Sequence, residues 1–229
     1  MPKRMMLTGL VAAPFTPLHA DGSLNPEAVA AQAQLLIEAD LRGVFVCGTT
    51  GECHSLTVAE RCAVAERWLR AVGDKMPVVV HVGHHCLPDA QVLAAHAARI
   101  GATAIAALAP SYFKPQMIDE LLDFCAAVAS AAPTVPFYFY HIPSMTGVVL
   151  PMAELLRRAV ERIPTMAGLK FTHNDLMMMQ ECMAVGDGAF DVVHGYDETL
   201  LAGLALGVRG AVGSTYNFAA PIYQEVLRG

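Results

Sequence analysis

Lys170 ends the apolar run MAGL at 166–169 and is followed by Phe171, whereas a solvated lysine normally has polar neighbours. Burial would lower its pKa and leave a neutral amine, the nucleophile that attacks a ketone to form a Schiff base. For that position alone, a lysine snorkelling out of a strand end is the alternative. Tyr140 offers the complementary chemistry, since a phenol held near an imine can donate and accept the protons that a retro-aldol cleavage moves. Tyr138 lies two residues before it, on the same side of an extended segment, so a pair of ordinary core tyrosines explains the same spacing.

A second group of residues could seat a small anion. The stretch GTTGE at 48–52 combines two hydroxyls, Thr49 and Thr50, with several backbone N–H groups between glycine hinges, which suits a carboxylate. It lacks the G-x-x-x-x-G-K-[ST] spacing of a phosphate loop, and a plain glycine turn is its alternative.

Metal chemistry has weaker signals. His81, His84 and His85 cluster, but H-x-x-H-H is not a helical ligand spacing and no acid accompanies it before Asp89, so no metal site is expected. The six cysteines, Cys47, Cys53, Cys62, Cys86, Cys125 and Cys182, lie far apart with no C-x-x-C pair, and are expected to be free and mostly buried. The Met177-Met178-Met179 run, with Leu176 and Met183 at compatible spacing, is expected to pack in the core.

The elements that position these groups follow a repeating pattern. Eight short apolar runs read as strands: GLVAA from Gly9, GVFVC from Gly43, VVVHV from Val78, TAIAAL from Thr103, PFYFY from Pro136, MAGLK from Met166, FDVVH from Phe190 and RGAVG from Arg209. Their near-continuous hydrophobicity suits parallel strands covered on both faces. Amphipathic stretches between them, such as 117–132 and 152–162, read as helices. Asn25 before Pro26 predicts one helix start, Thr57 and Glu60 form a T-x-x-E capping box, and Gly43 and Gly101 are expected to follow helix ends. Strand and helix alternating in this way predict an α/β fold, a (β/α)₈ TIM barrel in one domain spanning 1–229, with a doubly wound sheet as the alternative. After the eighth strand only a loop and the segment 221–229 remain, so the eighth unit is expected to be cut short. In a barrel the site lies at the C-terminal strand ends, where GTTGE, Tyr140-His141, Lys170, GYDE at 195–198 and Ser214-Thr215 all fall.

Composition narrows the class further. With 229 residues, 55% of them hydrophobic and 16% charged, the chain can bury one large core. No apolar run reaches the roughly 20 residues of a membrane span, and the opening MPKRMM has no signal-like h-region, so a soluble cytoplasmic protein is expected. A net charge of −6, with Lys and Arg scattered, argues against nucleic acid as a partner.

Taken together, GTTGE (48–52), YHIPSMTG (140–147) and GLKFT (168–172), in that order and spacing, resemble the N-acetylneuraminate lyase and dihydrodipicolinate synthase superfamily of pyruvate-dependent class I aldolases. The resemblance implies that Lys170 forms the imine, that Tyr140 relays protons and that Thr49 and Thr50 bind the substrate carboxylate. Tyr112, in PSYFKP, matches a position from which a tyrosine reaches a neighbouring subunit's site, and a homotetramer of two tight dimers is implied. The family's helical extension after the eighth unit is expected to be absent.

Met145 stands where the semialdehyde-using synthases carry an arginine, and a thioether cannot replace that ion pair with a second carboxylate. HGYDE (194–198) and GSTYN (213–217) look instead like sialic acid lyases, in which Thr172, Gly195, Asp197, Glu198 and Ser214 would hydrogen-bond a polyol. The implied reaction is cleavage of N-acetylneuraminate to N-acetylmannosamine and pyruvate without a cofactor. Two alternatives stay open: an aldolase for a 2-keto-3-deoxy sugar acid, and a non-catalytic barrel that binds pyruvate or a sugar acid.

Overall fold

A computed structural model describes residues 6–228. The opening MPKRM, part of the segment expected to lack a leader, and Gly229 lie outside the described residues. Eight parallel strands close into a barrel in chain order: β1 (Gly9–Ala12), β2 (Gly43–Val46), β3 (Val78–His81), β4 (Ala104–Leu108), β5 (Phe137–His141), β6 (Met166–Phe171), β7 (Asp191–His194) and β8 (Gly210–Gly213). Closure is by β1 against β8, from Gly9 opposite Gly210 to Ala12 opposite Gly213. The (β/α)₈ barrel, rather than the doubly wound sheet, is therefore the fold.

Alternation along each strand divides the apolar residues into two cores. Val11, Phe45, Val79, Ala106, Tyr138, Tyr140, Ala167, Val193 and Val212 fill the barrel interior. Val44, Val80, Ile105, Phe139, Leu169 and Phe171 point outward against the helices. Because Leu169 and Phe171 face the helices, Lys170 between them faces the barrel axis.

The outer layer consists of α1 (Ala28–Glu38), α2 (Val58–Val72), α3 (Leu87–Arg99), α4 (Ile118–Ser130), the single turn α5 (Pro143–Thr146), α6 (Met152–Arg162), α7 (Leu176–Ala184), α8 (Leu200–Leu206) and α9 (Tyr216–Arg228). The Thr57–Glu60 capping box opens α2 as expected: the Glu60 N–H donates to the Thr57 hydroxyl at 3.2 Å and the Thr57 N–H donates to the Glu60 carboxylate at 2.8 Å. Gly101 follows α3 at φ +84°.

Four local expectations need correction. Asn25 does not cap α1; Pro26 and Glu27 form a turn ahead of a helix that starts at Ala28 without a side-chain cap. Gly43 lies inside β2, and Asp40, at φ +54°, makes the left-handed step after α1. Of the methionine run only Met179 is buried, while Met177 is 72% exposed. The helix after β8 is longer than the segment 221–229: α9 runs for 13 residues, starting before Pro221 and accommodating it at a kink at Ala219.

Candidate active site

The C-terminal ends of the strands converge on Lys170. Its amine lies 4.1 Å from the Phe45 ring centroid and 4.2 Å from that of Tyr140, and the residue is 4% exposed. Burial in this aromatic setting brings its pKa down to about 7, with the carboxylate of Asp197 pulling partly in the other direction. A substantial fraction of the amine is thus neutral near pH 7, so the snorkelling alternative does not describe this lysine.

Tyr140 is the register partner of Lys170 across β5 and β6, which puts both side chains on the inner face. Its hydroxyl lies 3.2 Å from that of Thr49. Burial pushes its pKa up to about 12, while the Thr49 and Thr172 hydroxyls draw it down. Tyr138, on the same side, sits deeper and donates to Asp191 at 2.8 Å. The two tyrosines therefore differ in kind: one closes the barrel floor and the other faces the amine.

The loop after β2 is a compact turn with left-handed residues at Cys47 and Glu52. The Thr16 hydroxyl donates to the Gly51 carbonyl at 2.7 Å, and the Glu52 N–H donates to the Thr49 carbonyl at 3.0 Å. The N–H groups of Thr49, Thr50 and Gly51 make no backbone hydrogen bond among the described residues. Three donors in a row on a braced turn beside two half-buried threonines suit a carboxylate.

The opposite wall is built by the ends of β6, β7 and β8. Asp197, 6% exposed, accepts from the Thr215 N–H at 2.8 Å and from the Thr215 hydroxyl at 2.6 Å through Oδ2, leaving Oδ1 without a partner among the described residues. A Cβ on Gly213 would lie 1.7 Å from that Oδ1, and one on Gly195 would lie 2.0 Å from the Thr172 hydroxyl, so both positions need glycine for this wall to close. The Gly195 N–H is used by the Phe171 carbonyl at 2.8 Å. Thr172 is buried, Ser214 half-buried and Glu198 exposed on the short turn Asp197–Thr199. A cleft of about 400 Å³ opens on the β2 to β5 side, lined by Thr49, Cys53, His54, His85 and Met145 among others. Tyr112 stands apart from this cleft, 80% exposed and edge-on to Phe113.

The three histidines do not converge. The His81 ring lies under the β2 loop, with Nδ1 2.9 Å from the Cys47 carbonyl oxygen; His84 pairs with Asp89 at 3.6 Å, and His85 stacks on His54 at 4.8 Å. Among the described residues no group of three His, Cys, Asp or Glu side chains is placed to hold a metal ion. Four cysteines are buried, Cys62 is half-buried and Cys86 exposed, all as free thiols.

The sequence places Thr215 at a strand end but gives no sign of its hold on Asp197, and it leaves Phe45, His54 and Arg61 unmarked as site residues. Arg61 is 1% exposed and donates to the carbonyls of His81 at 2.7 Å and Gly83 at 3.0 Å. A signal for it exists: Arg61 shares the helical stripe of Val64, Ala65, Trp68 and Val72, the buried face of α2.

A parallel eight-stranded barrel with a buried, partly neutral lysine at a strand end, a phenol next to it and a turn with free N–H groups close by defines the class of lysine-centred barrel enzymes. The dihydrodipicolinate synthetase family model matches residues 6–229, and the chain belongs to that family. It is 48% identical over 221 residues to the N-acetylneuraminate lyase of Gallus gallus, a match covering 95% of this chain and 72% of that protein. Among solved structures, the N-acetylneuraminate lyase of Proteus mirabilis superposes with a TM-score of 0.96 at 40% identity, over 98% of this chain and 76% of that one. The N-acetylneuraminate lyase (sialic acid aldolase) of Aliivibrio salmonicida gives the same TM-score, 0.96, at 43% identity, over 98% of this chain and 74% of that one.

Proposed function

We propose that the protein is a class I aldolase that cleaves N-acetylneuraminate to N-acetylmannosamine and pyruvate. The observation that carries this reading is the Lys170 amine buried between Phe45 and Tyr140. The similarity to N-acetylneuraminate lyases supports the substrate.

In the reaction, neutral Lys170 attacks the C2 ketone of the open-chain sugar acid while its carboxylate rests on Thr49, Thr50 and the free N–H groups of their loop. Tyr140 donates a proton to the carbinolamine oxygen, which leaves as water and gives the protonated imine. Cleavage then needs the C4 hydroxyl to lose its proton. Having given up its proton in the dehydration, Tyr140 is a phenolate beside the cationic imine and takes the C4 proton itself, which returns it to the neutral phenol that its high pKa favours. The C3–C4 bond breaks, C4 becomes the aldehyde of N-acetylmannosamine, and the electron pair moves to the imine nitrogen as an enamine. Protonation at C3 and attack by water return pyruvate and the free amine. Asp197 Oδ1, the Gly195 carbonyl, the Thr172 and Ser214 hydroxyls and Glu198 supply acceptors for the polyol chain.

Supporting the sugar acid over a semialdehyde is Met145, 61% exposed at the cleft rim, which offers no cation to a second carboxylate. The reading includes a homotetramer in which Tyr112 reaches a neighbouring site; the adjoining Tyr112 and Phe113 rings, 80% and 87% exposed, support a buried role for that loop in an assembly. Substrate profiling tests the assignment. Pyruvate release from N-acetylneuraminate well above that from a ketodeoxygluconate is expected, and the reverse preference would reassign the substrate.

A further inference from the structure

We infer that Arg61 is a positioning residue for substrate binding: a buried guanidinium without an acidic partner, whose charge favours the substrate carboxylate at the Gly48–Glu52 loop. This rests on the proposed assignment of that loop as the carboxylate seat and extends it to a residue behind the site.

Arg61 lies on the inner face of α2; its guanidinium donates to the carbonyl oxygens of His81 and Gly83 and lies 3.4 Å from the His81 Nδ1, with Nε left without a partner among the described residues. No carboxylate stands within ion-pair distance of it among the described residues; its neighbour Glu60 is turned away into the capping box with Thr57. A fully buried cation without a counter-ion costs folding free energy, so carbonyl bracing alone would be served as well by a neutral donor.

What lies around it gives the charge a use. His81, whose carbonyl Arg61 holds, sits with its ring nitrogen 2.9 Å from the carbonyl oxygen of Cys47, the residue that leads into the loop. Cys47 also directs its thiol at the Arg61 carbonyl at 3.8 Å. Burial sets the pKa direction of Cys47 before the loop and of Cys53 and His54 after it, and the Arg61 charge acts on all three as a smaller influence that favours the anionic thiolates and the neutral imidazole. Burial first and the Arg61 charge second hold the pKa of His81 well below the ordinary imidazole value, so the ring beside the guanidinium adds no second positive charge near neutral pH. With three loop N–H groups in a row free of backbone hydrogen bonds among the described residues, an anion seated on the loop gains these donors together with a buried positive charge in a low-dielectric setting.

The test compares two ketones that differ only in charge, pyruvate and its neutral methyl ester, by the concentration dependence of borohydride trapping on Lys170. Arg61→Met should raise the half-saturating pyruvate concentration about tenfold or more, equivalent to about 1.4 kcal/mol, while shifting that for methyl pyruvate less than about twofold. Arg61→Lys, which keeps the charge, should recover most of the pyruvate affinity. Arg61→Gln serves as a second neutral variant should the methionine protein fail to fold. Wild-type pyruvate affinity should change little between about 20 and 500 mM salt, because a buried charge is poorly screened. Equal weakening of both ketones, no weakening, or a steep salt dependence in the wild type would each overturn the role of Arg61 alone. Absence of any pyruvate adduct in the wild-type protein would instead overturn the proposed function, and this inference with it.

Discussion

Lys170 and Tyr140 are register partners on adjacent strands, with the lysine amine 4.2 Å from the centre of the tyrosine ring. One strand contact thus brings the proposed nucleophile and the proposed proton relay together on the inner face of the barrel. The same aromatic contacts exclude water from the amine, which lowers the cost of removing its proton.

The pH dependence of imine formation follows from that burial. Lys170 is held at about 7 in the fold, so the initial rate of adduct formation with pyruvate should rise as pH climbs through about 7 and level off above it. Asp197 raises the pKa of the amine, so Asp197→Asn should move the midpoint to lower pH. Rapid borohydride quenching across a pH series reads both, and a wild-type midpoint near the ordinary lysine value of about 10.4 would contradict the burial argument.

Tyr140→Phe removes a hydroxyl that lies 3.2 Å from that of Thr49 while keeping the ring against Lys170. Turnover should fall by about 10² to 10⁴, with a slower but complete approach to the pyruvate adduct. Steady-state kinetics beside intact-protein mass would separate these effects; unchanged kcat would remove Tyr140 from the relay.

Gly213→Ala places a methyl group where Asp197 Oδ1 now lies, at 1.7 Å, and must push the Asp197 side chain off Thr215. Cleavage of the sugar acid should drop by more than about tenfold in kcat/KM, while pyruvate trapping on Lys170 persists. Parallel loss of both activities, with an unchanged melting temperature, would contradict the assignment of this wall to the sugar.

At the barrel floor, Asp191 accepts from the Leu7 N–H at 2.7 Å and from Tyr138 at 2.8 Å, yet burial raises its pKa to about 6. Between about 4 and 6 the unfolded chain therefore loses a proton that the folded one retains, and stability falls as pH rises, then stays level above about 6. The effect is at most about 3 kcal/mol. Melting curves of Asp191→Asn should lack this fall, so the stability difference from the wild type should change across that window; a constant difference would rule it out.

Much of this was legible in the sequence because parallel strands covered on both faces write themselves as apolar runs, and all eight lie where those runs are. Lys170 stood out for the same reason, as a charge inside such a run. The helix ends were harder to read. A glycine such as Gly43 has no side chain to show whether it ends a helix or begins a strand, and Asp40 takes the left-handed step at a position where sequence habit favours glycine. Pro221 suggested a helix start, but α9 absorbs it at a kink and begins five residues earlier, at Tyr216. Arg61 went unnoticed because an arginine on an amphipathic helix is normally solvated, and only its place in the apolar stripe of α2 marks it. Asp197 was legible as a polar residue at a strand end, but its grip on Thr215 depends on how β7 and β8 meet, which no local pattern encodes.

The central claim is that Lys170 carries the substrate as an imine, and mass spectrometry of the intact protein after treatment with pyruvate and borohydride tests it most directly. One stable carboxyethyl group per chain is expected, located on the peptide containing Lys170 and lost in Lys170→Ala. Folded wild-type protein that shows no added mass, or an adduct that survives the Lys170→Ala substitution, would contradict the account.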